Sequence, residues 1–126
     1  MSATILSDVD KVGRAGALGK RAILIVVSKE SLGKCLILED SDQLYIIGRD
    51  REASLFIDDP KVSKHHCSVS SENGEFILTD NGSTNSTFLN SKPLKKSQVL
   101  SYGDRIIVGA TVLRFFFEEQ IQPQQK

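Results

Sequence analysis

Features that define several common classes of protein are scarce in this sequence. Its 126 residues include two cysteines, Cys35 and Cys67, which fit neither a disulfide framework nor a metal knuckle. The 16 basic and 16 acidic residues cancel, so no global field attracts nucleic acid or an anionic membrane. The longest apolar run, residues 22–27, has the length of a strand and not of a membrane span. We therefore predict a globular protein with no direct nucleic-acid partner and no membrane partner.

The amino terminus and the cysteines also bear on the compartment. Residues 1–20 lack an apolar core flanked by a small-residue cleavage site, so they do not resemble a secretory signal. One bridge between Cys35 and Cys67 is compatible with the sequence. The interpretation we prefer is two small, buried, apolar side chains in a reducing compartment. The sequence thus predicts an intracellular location, either cytoplasmic or nuclear.

Composition changes along the chain in a way that predicts one domain between two tails. Residues 1–20 carry three glycines, scattered charges and no sustained period, which predicts a flexible N-terminal tail. Residues 21–119 are the predicted domain. Residues 120–126 are rich in Gln and Pro, which predicts a C-terminal tail or linker.

Short β-branched and aromatic runs, broken by turn residues about every 8–12 positions, fill the predicted domain. No helical period lies between them, so the pattern is typical of an all-β sandwich or barrel. Asn73-Gly74 predicts a tight hairpin because both residues tolerate positive φ, and Tyr102-Gly103-Asp104 predicts another turn. The predicted strands are residues 22–28, 34–38, 44–48, 54–57, 67–71, 75–80, 87–90, 99–101, 105–108 and 112–118.

Two predicted loops carry side chains suited to holding an anion. Gly48 precedes Arg49, and glycine permits a close approach while the guanidinium group matches phosphate oxygens. Ser63 and Lys64 add a hydroxyl donor and a point charge. An arginine at a strand end is, on its own, more simply interpreted as a solvated charge. His66 directly precedes an apolar strand, which favours a buried histidine that fixes its loop by hydrogen bonds.

A catalytic alternative would make Ser63 a nucleophile with His65 or His66 as its base. We discount it because no acidic residue stands at a recognisable position to orient the histidine. Two adjacent histidines without cysteine or carboxylate partners at ligand spacing also make a poor zinc site. We predict no enzymatic activity, no cofactor and no metal for the domain itself, whether or not it is part of a larger protein such as a kinase.

A third segment, residues 81–90, is dense in Asn, Ser, Thr and Gly. Its structural interpretation is a turn whose side chains bond to their own backbone. Its functional interpretation is that Thr84 and Asn85 project toward the group that Arg49 and Ser63 hold. A solvated loop is the simplest interpretation of the basic cluster that follows, Lys92, Lys95 and Lys96.

Taken together, these segments resemble the forkhead-associated (FHA) domain family. That family has a glycine–arginine pair, then Ser-x-x-His about a dozen residues later, then Asn-Gly-Thr preceded by a short Ser-Thr step. Here the pattern is met by Gly48-Arg49, by Ser63 with His66, and by residues 83–87. The resemblance covers roughly residues 22–118. Ser86 replaces the family's usual glycine, at a turn position that favours positive φ.

The resemblance implies a two-sheet β-sandwich of about eleven strands whose loops at one end bind phosphothreonine peptides. The implied partner is a phosphothreonine-containing protein or peptide in signalling, and the domain itself is expected as a monomer or in weak self-association. The alternative is an FHA-like scaffold that binds partners without phosphate. Lys61 precedes the family's serine, which implies a mild preference for an acidic residue at the third position after phosphothreonine. The implied roles are phosphate binding for Arg49, Ser63, Lys64 and Thr84, peptide binding for Asn85 and Lys61, and structural support for Gly48 and His66.

Overall fold

The computed structural model describes residues 21–118, and the two predicted tails lie outside that range. Eleven strands and one 3-10 turn (Lys29–Ser31) make up the described secondary structure. The strands are β1 (Arg21–Val26), β2 (Cys35–Glu39), β3 (Tyr45–Gly48), β4 (Leu55–Phe56), β5 (Cys67–Glu72), β6 (Glu75–Asp80), β7 (Thr87–Leu89), β8 (Lys92–Pro93), β9 (Gln98–Val99), β10 (Arg105–Val108) and β11 (Thr111–Phe117).

These strands form two sheets. The five-stranded sheet has the order β9-β6-β5-β3-β4, and the six-stranded sheet has the order β2-β1-β11-β10-β7-β8. The β3–β4 pair is parallel, and the other described pairs are antiparallel. The all-β, two-sheet sandwich of about eleven strands is therefore confirmed.

The core lies between the sheets because buried and less buried residues alternate along the central strands. In β1, Ala22, Leu24 and Val26 are buried while the residues between them are less buried. Phe76 of one sheet meets Phe115 of the other, edge to face, with ring centroids 6.0 Å apart. This packing fixes the sheets against each other, so that the loops at one end are held in place.

The hairpin predicted at Asn73-Gly74 is confirmed, since the two residues have φ of 55° and 80° and join β5 to β6. The turn at Gly103, with φ of 84°, precedes β10 as predicted. Sequence reasoning missed β8 because Lys92 and Pro93 show no apolar alternation. Proline is tolerated there because β8 is an edge strand.

The expectation of two buried cysteines is wrong for Cys35. Cys35 is the first residue of β2 and is exposed, whereas Cys67 in β5 is buried, and both are free thiols. They belong to different sheets and form no bridge. Burial raises the pKa of the Cys67 thiol to about 12, so this group stays protonated and unreactive.

Candidate functional site

Three loops meet at one end of the sandwich, namely residues 49–54, 57–66 and 81–86. The Arg49 backbone N–H of the first loop donates to the Ser63 carbonyl of the second at 3.0 Å. The Thr84 N–H of the third loop donates to Ser63 Oγ at 3.1 Å. Ser63 therefore bonds to both of the other loops, and residues predicted from three separate segments lie together.

Gly48 allows the first two loops to approach each other. It is buried, and a Cβ built on it would lie 1.9 Å from the Lys64 carbonyl oxygen and 2.9 Å from that of Ser63. No side chain fits at such distances, so the strand end requires glycine. The close approach brings Arg49, the next residue, beside the Ser63–Lys64 backbone.

His66 joins the second loop to the third. Its ring is fully buried, its Nδ1 accepts from the Ser63 N–H at 3.0 Å, and its Nε2 lies 2.8 Å from the Ser86 carbonyl oxygen. A carbonyl can only accept, so Nε2 carries the proton and the ring is neutral. The structure places His66 beneath the loops and not on their exposed surface.

Arg49 and Asn85 are exposed side chains that are each anchored by one bond. Arg49 Nε donates to the Val62 carbonyl at 2.9 Å, and Asn85 Nδ2 donates to the Lys61 carbonyl at 2.8 Å. Within residues 21–118, the terminal guanidinium nitrogens of Arg49 make no hydrogen bond. The guanidinium group is thus oriented while most of its donors stay available.

Lys64 and Thr84 complete the exposed surface of the site. In the described part of the chain, neither the Lys64 ammonium group nor the Thr84 hydroxyl makes a hydrogen bond. The Ser63 hydroxyl accepts from the Thr84 N–H, so its own hydrogen is free to donate outward. The loop end therefore presents a guanidinium, an ammonium and two hydroxyls, which together suit a multiply charged oxyanion.

Lys61 is exposed, and its backbone is fixed from two directions. Its carbonyl accepts from Asn85, and its N–H donates to the buried Asp59 carboxylate at 2.9 Å. Asp59 also accepts from the Ala110 N–H and the Thr111 hydroxyl, at 2.8 and 2.9 Å. Burial by itself raises the pKa of Asp59, but these donors together lower it by more than burial raises it. The pKa of Asp59 therefore lies below its ordinary value. Sequence reasoning did not identify Asp59 as part of the site.

Asp80 organises the third loop, and sequence reasoning missed it. Its carboxylate accepts from the Gly82 and Ser83 N–H groups at 3.0 and 3.1 Å and from the Thr87 hydroxyl at 2.7 Å. Asp followed by Asn-Gly is the usual composition of a turn in which the aspartate bonds to the backbone ahead of it. That signal could have identified Asp80.

Asp80 is expected to make stability fall in acid. Burial by itself raises the pKa of Asp80, but hydrogen bonds from Ser83, Thr87 and Gly82 together lower it by more. The pKa of Asp80 therefore lies below the ordinary 3.8. Its contribution is therefore fully present above pH 3.8 and is lost as the pH falls through the folded-state pKa. We expect Asp80→Asn to lower the free energy of unfolding at neutral pH and to flatten its decline in acid, measured by urea denaturation. If the free energy of unfolding of the variant fell in acid as steeply as that of the wild type, this role would be contradicted. Asp59→Asn, which removes another carboxylate with a lowered pKa, is the matched comparison.

Ser86 adopts the positive φ that its turn was expected to need, with φ of 66°. A non-glycine residue in this region is strained by about 1–2 kcal/mol. A glycine at this position would remove the strain. Part of that gain would be offset, because glycine loses about 0.5–1 kcal/mol more backbone entropy on folding.

We expect Ser86→Gly to stabilise the domain by up to about 1.5 kcal/mol, the difference between these two effects. Ser91, with φ of 74°, offers a matched variant in another turn, and Ser91→Gly should stabilise similarly. Thermal denaturation of both variants measures this. Destabilisation by Ser86→Gly would show that the serine side chain contributes more than its strain costs.

The arrangement does not form a serine–histidine catalytic pair. His66 Nδ1 meets the backbone N–H of Ser63, while Ser63 Oγ meets Thr84. The exposed His65 instead contacts Asp50, with Nε2 and Oδ2 3.0 Å apart. Among residues 21–118, no group of three His, Cys, Asp or Glu side chains could hold a metal ion. No helix in that range has the length and apolar character needed to cross a membrane.

Comparison with known proteins gives consistent matches. The FHA domain profile matches residues 45–109. The oxoglutarate dehydrogenase inhibitor of Corynebacterium efficiens is 36% identical over 94 residues, which are 75% of this chain and 64% of the relative. The glycogen accumulation regulator GarA of Mycobacterium tuberculosis is 31% identical over 123 residues, which are 90% of this chain and 74% of the relative.

Solved structures share the fold. An FHA domain of an Arabidopsis thaliana hypothetical protein has a TM-score of 0.72 and 28% identity, covering 86% of this chain and 92% of that one. The N-terminal FHA domain of an S. cerevisiae protein, solved with a phosphothreonine peptide, has a TM-score of 0.65 and 23% identity, covering 79% and 94%. Profile, relatives and fold agree, and the chain belongs to the FHA domain family.

Proposed function

We propose that this domain binds phosphothreonine peptides at the three-loop end and so recruits phosphorylated partner proteins, without catalysis of its own. One observation carries the proposal: exposed donors from three loops converge around Ser63. A phosphothreonine has a charge of about −1.5 to −2 and three strong acceptor oxygens. The donor set matches such a group.

Each residue of the site makes the kind of contact that its side chain allows. Arg49 and Ser63 bond the phosphate oxygens, the first through its uncommitted guanidinium nitrogens and the second through its hydroxyl hydrogen. Lys64 and Thr84 add a charge and a hydroxyl. Asn85, fixed at the rim by its bond to the Lys61 carbonyl, holds the peptide backbone beside the phosphothreonine.

Lys61 selects an acidic residue at the third position after the phosphothreonine. Its ammonium group is exposed while its backbone is fixed by Asp59 and Asn85, so the side chain extends from a fixed point on the rim. The preference is mild because an exposed ion pair contributes only about 0–1 kcal/mol.

We also propose that this chain has a regulatory role and acts in an intracellular compartment. The Corynebacterium relative is named as an inhibitor of oxoglutarate dehydrogenase, and the Mycobacterium relative as a regulator of glycogen accumulation. A module that binds a partner only when a threonine is phosphorylated provides such regulation through its partners and needs no reaction of its own.

The proposal is tested with an oriented phosphothreonine peptide library. The same library with unphosphorylated threonine is the control. The wild-type chain should retain only the phosphorylated peptides and should enrich Asp or Glu at the third position after phosphothreonine. Lys61→Gln should lose that enrichment but keep the dependence on phosphate. Equal retention of both libraries would contradict phosphothreonine binding.

A further inference from the structure

A groove of about 590 Å³ lies beside β8, away from the residues assigned to phosphate. It is larger than a cavity of about 180 Å³ beside β1. The residues that line it fall between Leu89 and Gln98, the segment that contains the three clustered lysines. The binding of phosphothreonine leaves this segment without a role.

The groove combines an apolar floor with a basic rim. Leu89 and Leu94 are partly buried and pack against the core, and Pro93 lies between them in the sequence. The rim carries the exposed Lys92, Lys95 and Lys96, and none of the lining residues is acidic. Within residues 21–118, these three ammonium groups have no ion-pair partner. The chain as a whole is neutral, so the groove is a local excess of positive charge.

The groove lies beside a tight turn and two edge strands. Asn90 and Ser91, with φ of 50° and 74°, turn the chain tightly from β7 into β8. β8 is the edge strand of the six-stranded sheet, and β9 is the edge strand of the five-stranded sheet. The segment from Leu94 to Ser97 crosses between these two edges, so the groove lies on the side of the sandwich where both sheets end.

We propose that this groove binds an acidic segment of a partner protein that carries an apolar side chain. Charge complementarity selects the occupant, since three unpaired lysines attract carboxylates and repel a basic segment. The apolar side chain packs on Leu89 and Leu94, and the flanking carboxylates meet the lysines. This contact needs no phosphate. A partner that also carried a phosphothreonine would gain further affinity by engaging both sites at once.

The test uses the full chain and a fluorescein-labelled peptide with one leucine flanked by glutamates, Glu-Glu-Leu-Glu-Glu. Fluorescence anisotropy should show saturable binding, and amide chemical-shift changes should cluster between Leu89 and Gln98. Replacing the peptide leucine with glycine, or its glutamates with lysine, should weaken binding. Arg49→Ala should bind this peptide like the wild type, which separates the groove from the phosphate site.

A matched pair of variants tests the charges. K95Q/K96Q should weaken peptide binding by roughly two- to thirtyfold, the range expected for two exposed charge pairs. K34Q/R51Q removes the same charge from exposed side chains beside Phe56, at the opposite edges of the sandwich, and should leave binding unchanged. K95E/K96E should instead bind Lys-Lys-Leu-Lys-Lys.

Several outcomes would overturn the groove proposal. These are the absence of saturable binding, amide changes confined to residues 49–66 and 81–86, equal losses in the two glutamine variants, or equal binding of the glycine peptide. Tighter binding of a single-stranded oligonucleotide at the same lysines would assign the groove to nucleic acid instead.

Discussion

Arg49→Ala is expected to weaken phosphothreonine-peptide binding by roughly a hundredfold or more while the domain stays folded. A hydrogen bond to a charged group contributes about 1.5–3 kcal/mol. Two such bonds from the guanidinium group amount to at least about 3 kcal/mol, and about 1.4 kcal/mol corresponds to a tenfold change in affinity. Isothermal titration with a phosphopeptide selected from the library measures the loss.

The controls for Arg49 separate geometry from charge. Arg49→Lys keeps a positive charge but loses the planar fork and the Nε bond to Val62, so it should bind only weakly. Arg51→Ala removes an arginine two residues away that lies over the Phe56 ring, 5.4 Å from its centroid, and should change affinity little. An Arg49→Ala variant that still binds its natural partner would favour a scaffold that does not depend on phosphate.

Gly48→Ala should lower the free energy of unfolding by at least about 3 kcal/mol, the upper end of what overpacking usually costs. The added Cβ would stand 1.9 Å from the Lys64 carbonyl oxygen and 2.6 Å from its carbon. These obstacles are backbone atoms, which cannot rotate away as a side chain could. Urea denaturation of the wild type and the variant measures the change.

Gly82→Ala is the matched control, because an alanine there is opposed by the positive φ and not by a steric clash. Gly82 has φ of 73°, but a Cβ there would meet nothing within 4 Å. The expected cost is therefore the strain of a left-handed residue, about 1–2 kcal/mol, less the roughly 0.5–1 kcal/mol of backbone entropy that glycine loses and alanine does not, which leaves at most about 1.5 kcal/mol. If Gly48→Ala cost no more than Gly82→Ala, the second loop would have to move freely, contrary to its dense hydrogen bonding.

The sheets were predictable because their signals are local. The apolar run of β1 and the Asn73-Gly74 turn each span a few adjacent residues, and the structure has a strand and a hairpin there. β8 was not predictable because Lys92 and Pro93 carry no pattern, and only their pairing with β7 makes them a strand. Cys35 was misjudged for a related reason: small apolar residues are usually buried, but the exposed start of an edge strand overrides that tendency.

The candidate site was predictable as a set of residues but not as a network. The order of the motifs identified Arg49, Ser63 and Asn85. The role of Asp59 depends on contacts that no short motif contains, such as the bond from Thr111, 52 residues away in sequence. Asp80 has local partners, and only its Asp-Asn-Gly turn could have identified it. Carboxylates that hold loops by accepting backbone N–H groups are therefore the part of this site that sequence reasoning recovers least.

The bonds that anchor the exposed residues have a consequence for mutational scans. The Arg49 side chain bonds to Val62, that of Asn85 to Lys61 and that of Ser63 to Thr84, so each of these three side chains proposed to touch the ligand also bonds to another loop. Losses of affinity from single substitutions will then overlap and will not sum. A double-mutant cycle between Ser63→Ala and Asn85→Ala should give a nonzero coupling energy even if neither side chain contacts the other.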